Sequence, residues 1–158
     1  MKKGKTKILF ICHGNICRSP TAEFIMKKLV QDGGLEDRFE IASAATSTEE
    51  IGSGVYPPAR ELLEARGIDC SGKRARQMTK ADYEYYDLIV SMDRENKYYL
   101  ERFYSGDPQG KLRNLSDYAG RKGAEIADPW YTRNFDLALK EIEEGCRAML
   151  RSLTDSPI

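Results

Sequence analysis

The segment Lys7-Ile-Leu-Phe-Ile-Cys12 is a nearly unbroken apolar run rich in β-branched and aromatic residues. A strand that is apolar on both faces must be covered on both, as inside a parallel sheet. After the loop His13 to Arg18, Ser19-Pro20 predicts a helix start, with Ser19 as N-cap and Pro20 at the first helical position. Ala22, Ile25, Met26 and Leu29 then recur at helical spacing until Gly33-Gly34 stops the helix. The opening is therefore the first half of a βαβ unit, and the chain continues in that manner. Strands are expected at Phe39 to Ala44, Leu88 to Met92 and, more weakly, Lys111 to Leu115. Helices are expected from Pro57-Pro58 to Gly67, after Thr79-x-x-Asp82 in a capping-box variant, and over Arg94 to Phe103. Phe135, Leu139, Ile142, Cys146, Met149 and Leu153 keep helical phase and predict a long C-terminal amphipathic helix. This alternation implies an α/β fold with a parallel sheet between helical layers, and a ligand at the C-terminal ends of the strands. No repeat, low-complexity tract or linker interrupts the sequence, so residues 1–158 are expected to form a single domain.

Composition narrows the chemistry. Lys and Arg total 25 against 25 Asp and Glu, a formal net charge of +0, without the basic excess that nucleic acid or an anionic membrane would call for. A single histidine leaves neither a multi-histidine zinc site nor two histidines sharing acid and base work. Catalysis would fall to Cys, Asp, Arg, Ser or Lys. The start Met1 to Lys7 is basic, but the apolar run behind it is too short for a signal sequence, and no segment reaches membrane-spanning length. A cytoplasmic location is expected, with the 4 irregularly spaced cysteines as free thiols.

The loop after the first strand reads Cys12-His-Gly-Asn-Ile-Cys-Arg-Ser-Pro20. Backbone N–H groups curled in a tight loop make a concave anion nest, and a helix N-terminus adds unpaired donors and partial positive charge. Gly14 and Asn15 tolerate the left-handed backbone angles of such a curl. With His13, Ile16 and Cys17 they complete a phosphate-sized cradle that the planar fork of Arg18 can close. The same field favours the thiolate of Cys12, a nucleophile aimed at bound phosphate, and Ser19 can donate its hydroxyl to the sulfur. His13 either touches substrate at the mouth or is a solvated loop residue. The Walker and dinucleotide glycine patterns are absent, and Cys12 and Cys17 are too widely spaced for a thioredoxin-type dithiol.

A departing ester oxygen needs a proton. Asp128-Pro129-Trp130-Tyr131 offers a carboxyl beside two aromatics that can flank an aryl group and exclude water; an ordinary Asp-Pro turn is the competing reading.

Cys12 to Glu23, Ser43-Ala-Ala-Thr-Ser47, Ala75-Arg-Gln77, Met92-Asp93 and Asp128-Pro-Trp-Tyr131 occur in an order that resembles the low molecular weight protein tyrosine phosphatases. The resemblance implies a four-stranded parallel sheet flanked by helices, no metal or other cofactor, and a cysteinyl-phosphate intermediate. It implies Cys12 as nucleophile, Arg18 as phosphoryl ligand and Asp128 as general acid and then base. It also implies Asn15, Ser19 and Ser43 as a polar network supporting the loop, and Tyr131 as an aromatic of the cleft. The expected partner is a phosphotyrosine protein, a tyrosine kinase among the candidates, with no nucleic acid and no membrane. A protein-phosphoarginine phosphatase and a thiol-dependent arsenate reductase of the same fold are the alternatives, the latter needing further cysteines that Ser71 to Gly145 lacks. Two departures stand out. Thr48-Glu49-Glu50 replaces an aromatic wall, which would repel acidic peptides, and Lys73 or Arg74 takes the place of a loop histidine. Cys17 is either a structural thiol or a disulfide partner protecting Cys12 from irreversible oxidation, the role towards which the family tilts. Cys70 and Cys146 are expected to be inert, Tyr83, Tyr85 and Tyr86 to pack before the third strand, and Arg74, Arg76 and Lys80 to form a solvated face.

Overall fold

A computed structural model describes residues 4–154; Met1 to Lys3 of the basic start and residues 155–158 lie outside the described residues. Strand β1, Thr6–Cys12, is central and pairs in parallel with β2, Phe39–Ala45, on one side and β3, Leu88–Ser91, on the other. Strand β4, Leu112–Asn114, extends the sheet beyond β3, giving the order β2-β1-β3-β4. The period of two along β1 divides its side chains between two cores. Ile8, Phe10 and Cys12 face a cluster with Ile25, Met26, Leu63, Ile142 and Met149. Leu9 and Ile11 face Ala44, Met78, Tyr83, Tyr86, Ile89 and Leu100. The first cluster is covered by α1, Arg18–Asp32, α2, Pro57–Glu64, and α7, Phe135–Thr154; the second by α3, Lys80–Tyr85, and α4, Arg94–Phe103. Residues Ile8 to Ile11 are all fully buried, so the apolar run does what its composition requires. Two short helices, α5, Leu115–Tyr118, and α6, Pro129–Thr132, and a single 3-10 turn at Glu36–Arg38 complete the elements among the described residues. No helix among the described residues is long and apolar enough to cross a membrane.

Several local expectations change. Helix α1 begins at Arg18 with Cys17 as N-cap, so Ser19 lies inside the first turn and Pro20 is the third helical residue rather than the first. Pro20 is tolerated because the first N–H groups of a helix have no carbonyl partner in any case, and the Ser19 hydroxyl is engaged elsewhere. Gly14 keeps a negative φ, and Asn15 alone in the loop is left-handed, at φ 59°. Strand β3 ends one residue short of Met92, and β4 covers the middle of the expected Lys111 to Leu115. The Thr79 capping box forms as expected, with Asp82 returning the bond. Tyr83 and Tyr86 are buried and Tyr85 is exposed, while Arg76 pairs with Asp82 rather than standing free.

Helices α5 and α7 are in close contact at Gly145. A Cβ placed there would lie 2.6 Å from Cγ of fully buried Leu115 and 3.2 Å from its carbonyl oxygen. Gly145→Ala should therefore destabilise the fold by about 1–3 kcal/mol through overpacking, despite alanine's better helix propensity. A lowered denaturation midpoint in urea checks this.

Candidate active site

The polar loop His13 to Cys17 joins the end of β1 to the start of α1, at the boundary where the chain order of the sheet changes direction. Cys12 ends the strand and Ser19 lies in the first helical turn. Cys12 Sγ is 3.0 Å from Ser19 Oγ and accepts from the Ser19 backbone N–H at 3.4 Å. The sulfur thus faces the N-terminal end of a 15-residue helix.

The proton positions beneath it follow from the donors available. The backbone N–H of Arg76 can only donate, and it reaches Asn15 Oδ1 at 3.1 Å. Both hydrogens of Asn15 Nδ2 are then directed to Ser19 Oγ at 2.8 Å and Ser43 Oγ at 2.9 Å. Ser43 in turn donates to the Glu23 carboxylate at 2.6 Å. The remaining Ser19 hydrogen is left for the sulfur of Cys12. Asn15, Ser19, Ser43 and Glu23 are all buried. Lys27 and Lys73 stand 2.6 and 3.4 Å from Glu23, and Lys73 also donates to the Ser43 carbonyl at 2.9 Å. Burial pulls the Lys73 ammonium below the usual lysine range, against the attraction of Glu23.

Arg18 is 3% exposed at its side chain. Its Nη1 donates to Asp93 Oδ2 at 2.6 Å and to the Ile126 carbonyl at 2.9 Å, and its Nη2 lies 3.4 Å from Asp128 Oδ2. Burial alone would lower its pKa, yet Cys12, Asp93 and Asp128 together hold it above the ordinary arginine value. Asp128 is the N-cap of α6 and accepts from the Trp130 N–H at 3.0 Å, so the Asp-Pro turn and the site carboxyl are one structure. Burial first, then Cys12 and Asp128, push the Cys17 thiol up to about 12, against the opposing pull of Arg18. Cys17 is therefore a neutral thiol at physiological pH.

Cys12, His13, Gly14, Ile16, Cys17, Arg18, Asp128, Trp130 and Tyr131 line one cavity of about 150 Å³. Asn15, Ser19 and Ser43 lie behind its wall as support. Glu49 and Glu50, expected where an aromatic wall would stand, line the cavity as well; the sequence reading missed Tyr56 and Phe135 there, and the clamping of Arg18 by Asp93. Asp93 follows the end of β3, where a ligand-facing residue is expected in an α/β sheet. Nothing local marked Tyr56, which packs against Trp130 with ring centroids 4.9 Å apart and against Phe135 at 5.7 Å. Cys70 and Cys146 are buried outside the cavity, and burial raises the pKa of each.

A thiol at a helix N-terminus, a buried arginine held by two carboxylates and an aromatic wall define an α/β site suited to a nucleophile acting on an anionic aryl ester. Residues 7–156 match the family model described as low molecular weight phosphotyrosine protein phosphatase, and the chain belongs to that family. It is 38% identical over 155 residues to the low molecular weight phosphotyrosine protein phosphatase of Gallus gallus, covering 95% of this chain and 98% of that one. To the low molecular weight protein-tyrosine-phosphatase YfkJ of Bacillus subtilis it is 35% identical over 147 residues, covering 92% and 94%. The YfkJ crystal structure superposes with a TM-score of 0.94 at 33% identity, covering 98% of each chain. A Drosophila arginine phosphatase superposes at 0.86 with 29% identity, covering 96% of this chain and 99% of that one. The expected four-stranded parallel sheet with a phosphate-loop geometry after β1 is thus the fold of the family.

The Arg18 clamp has a stability consequence. Asp93 Oδ2 accepts from Arg18 while Oδ1 accepts from the Asn96 N–H and caps α4. Asp93→Asn supplies only one acceptor oxygen for the two donors and no charge, so about 3 kcal/mol of stability should be lost, read from chemical denaturation.

Proposed function

We propose that this chain acts as a single protein phosphatase domain that hydrolyses phosphotyrosine and other aryl phosphate monoesters through a phosphocysteine. The observation that carries the reading is the convergence of Cys12, Arg18 and Asp128 on one cavity, with the Cys12 sulfur held by the Ser19 hydroxyl and N–H at the start of α1. Cys12 Sγ attacks phosphorus in line. The S–P bond forms as the P–O bond to the aryl group breaks, and Asp128 gives its proton to the departing oxygen. Water then attacks phosphorus, passing a proton to Asp128, and the S–P bond breaks to release inorganic phosphate. Arg18 and the loop N–H groups stabilise charge on the equatorial oxygens in both steps. The Ser19 hydroxyl stabilises the sulfur when it leaves as thiolate. Ile16, Tyr56, Trp130, Tyr131 and Phe135 provide an apolar wall for an aromatic ring. No cofactor enters these steps. The substrate is a phosphotyrosine protein, a tyrosine kinase among the candidates, met in the cytoplasm.

A phosphoarginine substrate is the second reading, favoured by the carboxylates of Glu49 and Glu50 on the cavity wall; the extent of the apolar wall favours the aryl ester. Arsenate reduction by a cysteine relay is not supported. Besides Cys12 only Cys17 lines the cavity, and it is a poor thiolate.

Cys12→Ser should abolish turnover of an aryl phosphate while leaving binding of inorganic phosphate measurable by calorimetry; wild-type rates in that variant would refute the nucleophile. Asp128→Ala should slow phosphotyrosine hydrolysis by roughly 10²–10⁴-fold, with a smaller loss for esters of acidic phenols that need no proton. Steady-state rates across a series of leaving groups check the assignment.

A further inference from the structure

The cavity has two unlike sides. Tyr56, Trp130, Tyr131 and Phe135 make an aromatic side, whereas the segment after β2 brings Glu49 and Glu50 to the cavity beside His13 and Gly14. These two carboxylates stand on a tethered loop. Thr46 N–H donates to the Cys12 carbonyl at 3.0 Å, and Ser47 donates to the His13 carbonyl through its N–H at 3.1 Å and its hydroxyl at 2.9 Å. Further along, Gly52 N–H reaches the Ala75 carbonyl at 2.8 Å, and Tyr56 N–H reaches the Ile16 carbonyl at 2.8 Å. Glu49 itself is fixed by His13, its Oε2 lying 2.8 Å from His13 Nε2. The stem of Glu50 runs over Gly14, where an added Cβ would come within 3.5 Å of its Cγ. Glu95, from the start of α4, approaches the other ring nitrogen of the imidazole, its Oε1 being 3.9 Å from His13 Nδ1.

The balance of charge at this rim is one-sided. Among the described residues lining the cavity, the acidic groups are Glu49, Glu50 and Asp128, and the basic side chains are Arg18 and His13. Arg18 is engaged by Asp93 and Asp128 at the floor, and His13 is engaged by Glu49. Arg133 is spent on the aromatic side, its guanidinium lying over the Tyr56 and Phe135 rings. A peptide that places its phosphotyrosine on the floor must pass its neighbouring residues across this rim.

Resting on the phosphatase reading, we propose that Glu49 and Glu50, with Glu95 behind them, are specificity-determining residues that select phosphotyrosine flanked by lysine or arginine. His13 holds Glu49 in place for this task. Glutamate or aspartate beside the phosphotyrosine meets like charge there, and a basic neighbour meets carboxylates already fixed in position. The interaction is exposed, so it acts on encounter and on flanking contacts and is screened by salt.

The test uses the full chain and three phosphotyrosine peptides of equal length, flanked by Lys, by Ala or by Glu, beside a small aryl phosphate and a phosphoarginine peptide. Within each protein the ratio of kcat/KM for the Lys-flanked over the Glu-flanked peptide is read, which cancels changes in overall activity. A ratio of about tenfold is expected for the wild type at about 20 mM salt, falling towards one at about 500 mM. Glu49→Gln/Glu50→Gln keeps the hydrogen-bonding shape and removes both charges, and its ratio should fall towards one. Equal rates on the Lys- and Glu-flanked peptides in a wild type that hydrolyses the aryl phosphate would overturn the proposal and leave the phosphatase reading intact. A ratio undiminished in the double variant would also overturn it. Turnover of phosphoarginine without turnover of any phosphotyrosine peptide, or of none of these substrates, would overturn both.

Discussion

Asn15 is the residue on which the geometry of the site depends. Its backbone is left-handed at φ 59°, its side chain is buried, and its amide joins three pieces of chain that are remote in sequence. It bonds Ser19 in α1, Ser43 in β2 and the backbone of Arg76 beyond α2. Because the Arg76 N–H fixes which end of the amide is oxygen, the orientation of Asn15 determines where the serine protons go. The left-handed turn also brings the residues after it back towards the end of β1, so that Ser19 can reach Cys12. Asparagine is among the few side chains that accept this backbone and can still bond on both sides of it.

The rest of the molecule keeps that arrangement from relaxing. Strand β1 is buried on both faces and paired on both edges, which leaves its last residue, Cys12, little freedom. Helix α1 is buried through its first turn, an unusual condition for residues such as Arg18 and Ser19. It is met because their polar atoms are engaged by the site itself. The segment around Ala75 to Met78 bridges the end of β2, with Ala45 donating to Arg76 and Met78 donating to Ala45. The same segment carries the N–H that orients Asn15, so the edge of the sheet and the loop are held by one short stretch of backbone.

The sequence made some of this legible and concealed the rest for identifiable reasons. The buried strand, the loop after it and the long C-terminal helix stand out because periodicity and breaker residues are local signals. Ser19 was misplaced as a cap because Ser-Pro ordinarily marks a helix start. Here its hydroxyl serves the sulfur, and Cys17 opens the helix without a side-chain bond. The short helices α5 and α6 bury too few residues to create a period, although the Asp128-Pro pair does begin one of them. Cys12, Arg18 and Asp128 could be picked out from residue chemistry and family resemblance. The clamp of Asp93 on Arg18 could not, since it joins the start of α4 to the start of α1, which are remote in sequence. Tyr56 was missed because an aromatic before a Pro-Pro helix start looks like ordinary packing, and only the fold turns it towards Trp130.

A formal net charge of +0 conceals two different kinds of field. Arg18 is matched by Asp93 and Asp128, so in the proposed reading backbone N–H groups and the end of α1 supply much of the floor's attraction for a phosphate. Those dipoles are directional, short in range and sheltered from solvent, and salt weakens them little. Glu49, Glu50 and Glu95 at the rim are formal charges in contact with water, longer in reach but readily screened. An acidic rim above an anion-binding floor is therefore not a contradiction. Chemistry at phosphorus depends on the floor, which ionic strength scarcely alters. In the proposed reading, choice among flanking sequences falls to the rim, whose carboxylates lie outside the buried network around Asn15.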